Sequence, residues 1–179
     1  MHAPFAQALC NETMNKTYFL RPTAGRLGSA LEAWQWIGLN DKKPILVTAF
    51  ADVFFRGADG IWFLDTIEGQ LKFVCPTRRH LDQLLAEKQW QQMYLLSHHV
   101  DRALSEGNKL GEGQCYNFAR HPVAGGTMEY ENVERINFVV ALHIKGQMHD
   151  KLRQAAPEAG EPGTHDDAGP AARPWWKVW

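Results

Sequence analysis

Four carboxylates crowd one short stretch of this chain, Asp52, Asp59, Asp65 and Glu68. Paired carboxylates are the raw material of metal-assisted hydrolysis and of glycoside cleavage. The same residue types are also common in tight turns for backbone reasons alone, and no positioned histidine or basic partner accompanies them. A solvated turn or an acidic recognition surface is therefore the stronger reading. Eight histidines invite the same question. Adjacent residues such as His98 and His99 point about 100° apart on a helix, and His143 and His149, six apart, miss the four-residue spacing that aligns metal ligands on a helical face. Those histidines, and the pair Cys115 and His121, read as surface or structurally bonded groups. Cys10, Cys75 and Cys115 are odd in number and form no C-x-x-C, which argues against a disulfide framework and a zinc site and fits a reducing compartment. The glycine patterns of P-loops, dinucleotide folds and nucleophile elbows are not in the sequence, and no cofactor is implied.

The elements that would position these groups are legible. Phe50 to Val74 reads as three short strands joined by turns at Gly57-Ala-Asp-Gly60 and Ile67-Glu-Gly-Gln70, which supply glycine where hairpins need positive φ. Ile45 to Phe50 adds a strand before them, making four in succession. In Ile61 to Thr66 both parities are apolar, as in a strand packed on both faces. Leu27, Leu31 and Trp34 mark a helix over 27–39. Thr77 caps another that carries Leu81, Leu84 and Leu85, and Met93, Leu96, Val100 and Leu104 predict a single helix over about 89–104 that stops at Gly107. Cys115 to Phe118 reads as a short strand. Val133 to Gln154 is read mostly as helix, with Phe138, Leu142, Lys145, His149 and Leu152 on one side, although Val139-Val140 favours a strand.

This pattern predicts an α+β fold, an antiparallel β-meander sheet packed with helices in a single domain over 23–155. A partly disordered extension, 1–22, precedes it, and a flexible tail, 156–179, ends in Trp175-Trp-Lys-Val-Trp179. Nineteen basic against twenty acidic residues give a formal charge of −1, without the positive field of a nucleic-acid binder. The basic patch Thr77-Arg-Arg-His80 is compensated by Asp82 and Glu87. No apolar run reaches the roughly 18–20 residues of a membrane span, so a soluble, cytoplasmic protein is expected.

Four separated pieces, Val47-Thr-Ala-Phe-Ala-Asp-Val-Phe-Phe55, Gly60-Ile-Trp-Phe-Leu-Asp-Thr-Ile-Glu-Gly69, Gly113-Gln-Cys-Tyr-Asn-Phe118 and Gly146-Gln-Met-His149, together resemble the C-terminal domain family of type VI secretion immunity proteins, which neutralise DNase toxins. The family usually carries Gly where this chain has Ala51. The resemblance implies a small α+β cytoplasmic protein, without catalytic residues or cofactor, that binds a cognate antibacterial toxin encoded by a neighbouring gene. It implies neither direct nucleic-acid binding nor membrane association. A DNase must offer DNA a cationic cleft, so an inhibitor occluding it should present carboxylates in place of phosphates. Asp59, Asp65 and Glu68 are the first candidates for toxin contact, expected to tolerate joint replacement by Lys without loss of fold. Asp101, Glu106 and Glu112 are the second group. Two other readings stay open: a small metal-dependent hydrolase using the turn carboxylates, and a non-catalytic adaptor acting through the tryptophan-rich tail.

Overall fold

Alternating β-formers and two glycine-bearing turns set the centre of the molecule. In the computed structural model, which describes residues 18–155, β2 (Lys43–Thr48), β3 (Val53–Arg56), β4 (Ile61–Asp65) and β5 (Gln70–Cys75) run as the expected antiparallel meander. Within the stretch read as an N-terminal extension, β1 (Phe19–Leu20) pairs with β2 and completes a five-stranded sheet in chain order. At the β4–β5 turn Gly69, at φ +66°, donates its N–H to the Asp65 carbonyl at 2.9 Å. A Cβ at this glycine would overlap the His149 ring, so the turn requires both the left-handed backbone and the missing side chain.

The predicted first helix is α1 (Ala24–Leu31), capped by the Thr23 hydroxyl, and it tightens into a 3-10 turn over Glu32–Ile37. Thr77 caps α2 (Arg78–Leu84) as its sequence position predicts, accepting from the His80 N–H at 3.2 Å. The single helix expected over 89–104 is two, α3 (Lys88–Leu95) and α4 (Ser97–Ser105), broken at Leu96 with φ +48°. The break has a packing reason. Leu95 joins Phe54 and Phe63 in one apolar cluster, whereas Leu96 joins Phe50 and Phe118 in another. Met93, expected on the buried stripe, is exposed.

The stretch read as mostly helix holds a strand as well. β7 (Val133–Asn137) pairs antiparallel with β6 (Gln114–Phe118) to form a second, two-stranded sheet. The chain then enters α5 (Phe138–Ala155) directly, and Asn137 Oδ1 accepts from the N–H groups of Val139 and Val140. That side-chain cap turns a β-rich sequence into a helix start, so Val139-Val140 is helical. Phe138, Leu142, Lys145 and His149 are buried on one face as predicted, while Leu152 is exposed.

The large sheet is packed on both faces. Leu64 meets Trp34 and Leu142 on one side, and Ile61 and Phe63 meet Leu81 and Leu85 on the other. The contact of α5 with the 3-10 turn is unusually close: Trp34 Nε1 donates to the Leu142 carbonyl at 2.8 Å, and a Cβ on Gly146 would lie 2.7 Å from the Ala33 carbonyl oxygen. Helix propensity favours alanine over glycine by about 1 kcal/mol, but here the obstacle is backbone that cannot rotate away. Gly146→Ala is therefore expected to destabilise the fold by about 2 kcal/mol, measured as a lowered urea midpoint. A raised midpoint would contradict the close approach.

Candidate functional site

Five buried polar side chains from four parts of the chain meet beneath the β4–β5 turn: Thr48 at the end of β2, Asp52 before β3, Thr66 after β4, and Lys145 and His149 on α5. Asp52 and Lys145 are only 4% and 3% exposed. The Asp52 carboxylate accepts the Thr66 N–H at 2.9 Å and the Thr66 hydroxyl at 2.7 Å on Oδ1, and the Thr48 hydroxyl at 3.2 Å on Oδ2. The Thr66 hydroxyl in turn accepts from Lys145 Nζ at 3.2 Å, and Lys145 also donates to the Phe50 carbonyl at 3.1 Å. A buried acid and a buried base are thus joined through one hydroxyl group.

The Thr66 carbonyl takes two imidazoles, His149 Nε2 at 3.1 Å and His121 Nε2 at 3.3 Å. A carbonyl only accepts, so both rings must carry a proton on Nε2. His121 Nδ1 meanwhile accepts from the Val123 N–H at 3.3 Å, which makes its ring neutral. Burial is the main force lowering both pKa values, and His121 falls to about 4 with the Lys145 cation adding to the effect. Asp52 moves the other way, to about 6, because burial and then the charge of Asp65 disfavour its ionised form. Among the described residues no buried side-chain nitrogen or oxygen lacks a partner.

Every piece of the quoted sequence pattern serves this knot or its surroundings. Phe50-Ala51-Asp52 makes the β2–β3 turn, with Ala51 at φ +69°, in the left-handed region that favours glycine. Tyr116 donates its N–H to the Ala49 carbonyl at 2.8 Å, which ties β6 to that turn. Gly146 admits α5, and His149 reaches Thr66. Helical spacing puts Lys145 and His149 on one face, as observed, but does not join them to Asp52 and Thr66. A lysine on the buried face of α5 was the available signal.

The candidate contact residues are scattered. Asp65 caps its own turn, with Oδ1 accepting from the N–H groups of Ile67 and Glu68 and Oδ2 pairing with Lys72 at 2.9 Å. Glu68 pairs with the same Lys72 at 2.6 Å. Asp59 lies beyond the opposite end of β4, accepting from Trp62 Nε1 at 2.8 Å, so the five-residue strand separates it from Asp65 by about 16 Å. The three do not form one patch, and replacing Asp65 by Lys would remove a turn cap, contrary to the expected tolerance. On α4, Asp101 accepts the Tyr18 hydroxyl at 2.6 Å, and Glu106 pairs with Arg102 at 3.1 Å. Glu112 stands apart from both, lining a cavity of about 470 Å³ with Arg21, Arg26 and Lys109.

The His98 and His99 rings lie 3.9 Å apart, but among the described residues no group of three or more His, Cys, Asp or Glu is placed to hold a metal ion. Cys75 and Cys115 are free and buried. No described helix is long and apolar enough to cross a membrane. Cys10 and the Trp175–Trp179 end lie outside the described residues.

Residues 77–149 match the family described as T6SS immunity protein Tdi1, C-terminal. The match runs from the cap of α2 to His149. It contains two of the four resembling pieces, together with Lys145 and His149 of the knot, whereas Asp52 and Thr66 precede it. No curated protein matches the sequence. The crystal structure of Atu4351 from Agrobacterium tumefaciens is similar at 16% identity and a TM-score of 0.45, covering 73% of this chain and 67% of that one.

Two measurements test the knot. Thr66→Val keeps the shape but removes the hydroxyl that serves both Asp52 and Lys145, and should cost about 2–4 kcal/mol in urea unfolding; an unchanged midpoint would contradict the network. The second is pH dependence. Asp52, with its folded pKa raised from 3.8 to about 6, loses stabilising influence as pH rises through that window. His99 and His121, lowered from 6.5 to about 4, contribute stability above 6.5 that is lost as pH falls toward 4, and His98 and His149, also lowered, act in the same direction. The histidines outnumber the acid, so stability should fall between pH 6.5 and 4. Asp52→Asn should make that fall steeper, and an equal or shallower slope would contradict the raised pKa.

Proposed function

We propose that this chain is an immunity protein that binds a cognate antibacterial toxin, a type VI secretion effector with DNase activity, and silences it by covering the active cleft. The observation that carries the reading is the match of residues 77–149 to a family of T6SS immunity proteins. The role is binding and not catalysis. The chain's buried acid and base are consumed by one another through Thr66, and Asp65 and Glu68 are held by the Lys72 ammonium. Such groups hold a rigid scaffold on which a recognition surface can sit.

The surface chemistry suits a cationic partner. Of the six candidate carboxylates, Asp101 on α4 and Glu106 just after its last residue lie exposed, within the matched region, and Glu131 adds a third carboxylate there by pairing with Arg102 at 2.8 Å. Asp59 and Glu112 are exposed but stand away from α4, Asp59 before the matched region and Glu112 within it. An enzyme that cleaves DNA concentrates lysine and arginine along its cleft, and carboxylates docking there replace phosphate contacts.

The test is co-expression with the toxin encoded beside this chain in its own genome, scoring growth and chromosomal DNA integrity. Cells carrying both should grow with intact DNA, and the two proteins should co-purify. Undiminished killing by that toxin, with both proteins soluble, would overturn the reading.

A further inference from the structure

A groove of about 760 Å³ runs between α3 and α4 on one side and the segment 128–130 on the other. Its lining is mostly apolar and neutral polar, with Met93, Gln89 and Gln92 from α3, the buried Leu96 at the helix break, and Met128 and Tyr130 opposite, and its charged members are Glu129 and Arg102. The Leu96 break described above lies on the groove, so the α3–α4 angle and the groove share one cause. Its far wall is fastened to α4, because the Arg102 guanidinium lies 4.2 Å over the Tyr130 ring and is held by both Glu106 and Glu131.

Charge around the groove is one-sided. Glu129 lines the groove with Arg102, and three more carboxylates stand beside that lining, Asp101 acting with Glu129 on His98 and Glu106 and Glu131 flanking Arg102. His98 and His99 add no positive charge at neutral pH, since burial lowers both, His99 to about 4. Met93, 38% exposed, is an unbranched, polarisable side chain of the kind that adapts to a partner's shape. The whole groove falls within residues 77–149.

We propose that this groove is the toxin-docking site, where an apolar side chain of the toxin enters between Met93, Leu96 and Met128 while its flanking basic residues meet Asp101 and Glu129. The occupant is a protein surface with an apolar anchor inside a cationic frame, as the acidic rim requires. This assignment rests on the immunity reading. It selects one of the two acidic groups and adds the apolar anchor that charge alone does not supply.

The probe is the toxin encoded beside this chain, in a catalytically inactive form, with the full-length protein. Benzoylphenylalanine replacing Met93 should photo-crosslink to the toxin, whereas the same group replacing Phe73, an exposed position on β5, should not. The double variant Met93→Arg with Glu129→Lys changes two exposed positions. It should weaken toxin binding at least about 30-fold while its melting temperature stays within about 2 °C of the parent. Crosslinking only from position 73, unchanged affinity of the double variant, or crosslinking from position 93 solely to a second copy or to residues 175–179 would each overturn the groove assignment while leaving immunity standing. A parent protein that fails to bind the toxin at all would overturn the immunity reading itself, and the groove assignment with it.

Discussion

The structure depends on Thr66. Its hydroxyl joins Asp52 to Lys145, its N–H holds the same carboxylate, and its carbonyl receives His121 and His149. Taking a carboxylate and an ammonium out of water is costly, and the cost is recovered only when every remaining lone pair and proton is bonded. Here every buried side-chain nitrogen and oxygen among the described residues has at least one partner, and the partners come from four separate segments. The β2–β3 turn, the β4–β5 turn, the His121 loop and α5 are thereby fixed relative to one another, and a displacement of any of them leaves a buried charge exposed to an apolar core.

That arrangement explains why so much of the quoted sequence pattern is interior. Gly69 and Gly146 are where backbone and ring approach too closely for a side chain, one against His149 and the other against Ala33. Ala51 occupies a left-handed backbone position at the turn that delivers Asp52. Such residues specify the scaffold and carry no information about a particular partner. On the proposed docking reading, partner choice resides in the exposed side chains of α3, α4 and the loop before β7, which lie outside the knot. Two proteins could share every motif residue and still recognise different toxins.

The meander was legible because its turns carry glycine at the positions that need it and its strands are rich in β-formers. The cap at Thr77 and the stop at Gly107 were legible for similarly local reasons. The break at Leu96 was not, because it arises from two adjacent leucines packing into different clusters, a tertiary demand that a helical spacing conceals. β7 was hidden by Asn137, whose side chain starts α5 without any intervening loop. The acidic residues show the same divide: Asp65 and Glu68 looked like surface charges in sequence, but their oxygens are engaged by turn N–H groups and by Lys72. The charge balance of the α4 rim depends on Glu131, which is 29 residues from its partner Arg102, a pairing that spacing does not reveal.

Inhibition by occlusion, as proposed, is stoichiometric and leaves both proteins chemically unchanged. The most direct measurement is cleavage of plasmid DNA by the purified toxin as this protein is titrated in. Cleavage should decline linearly and vanish near one equivalent, with the DNA itself untouched by the protein alone. Full cleavage at several equivalents, or inhibition that grows with time at substoichiometric protein as a modifying enzyme would produce, would contradict it.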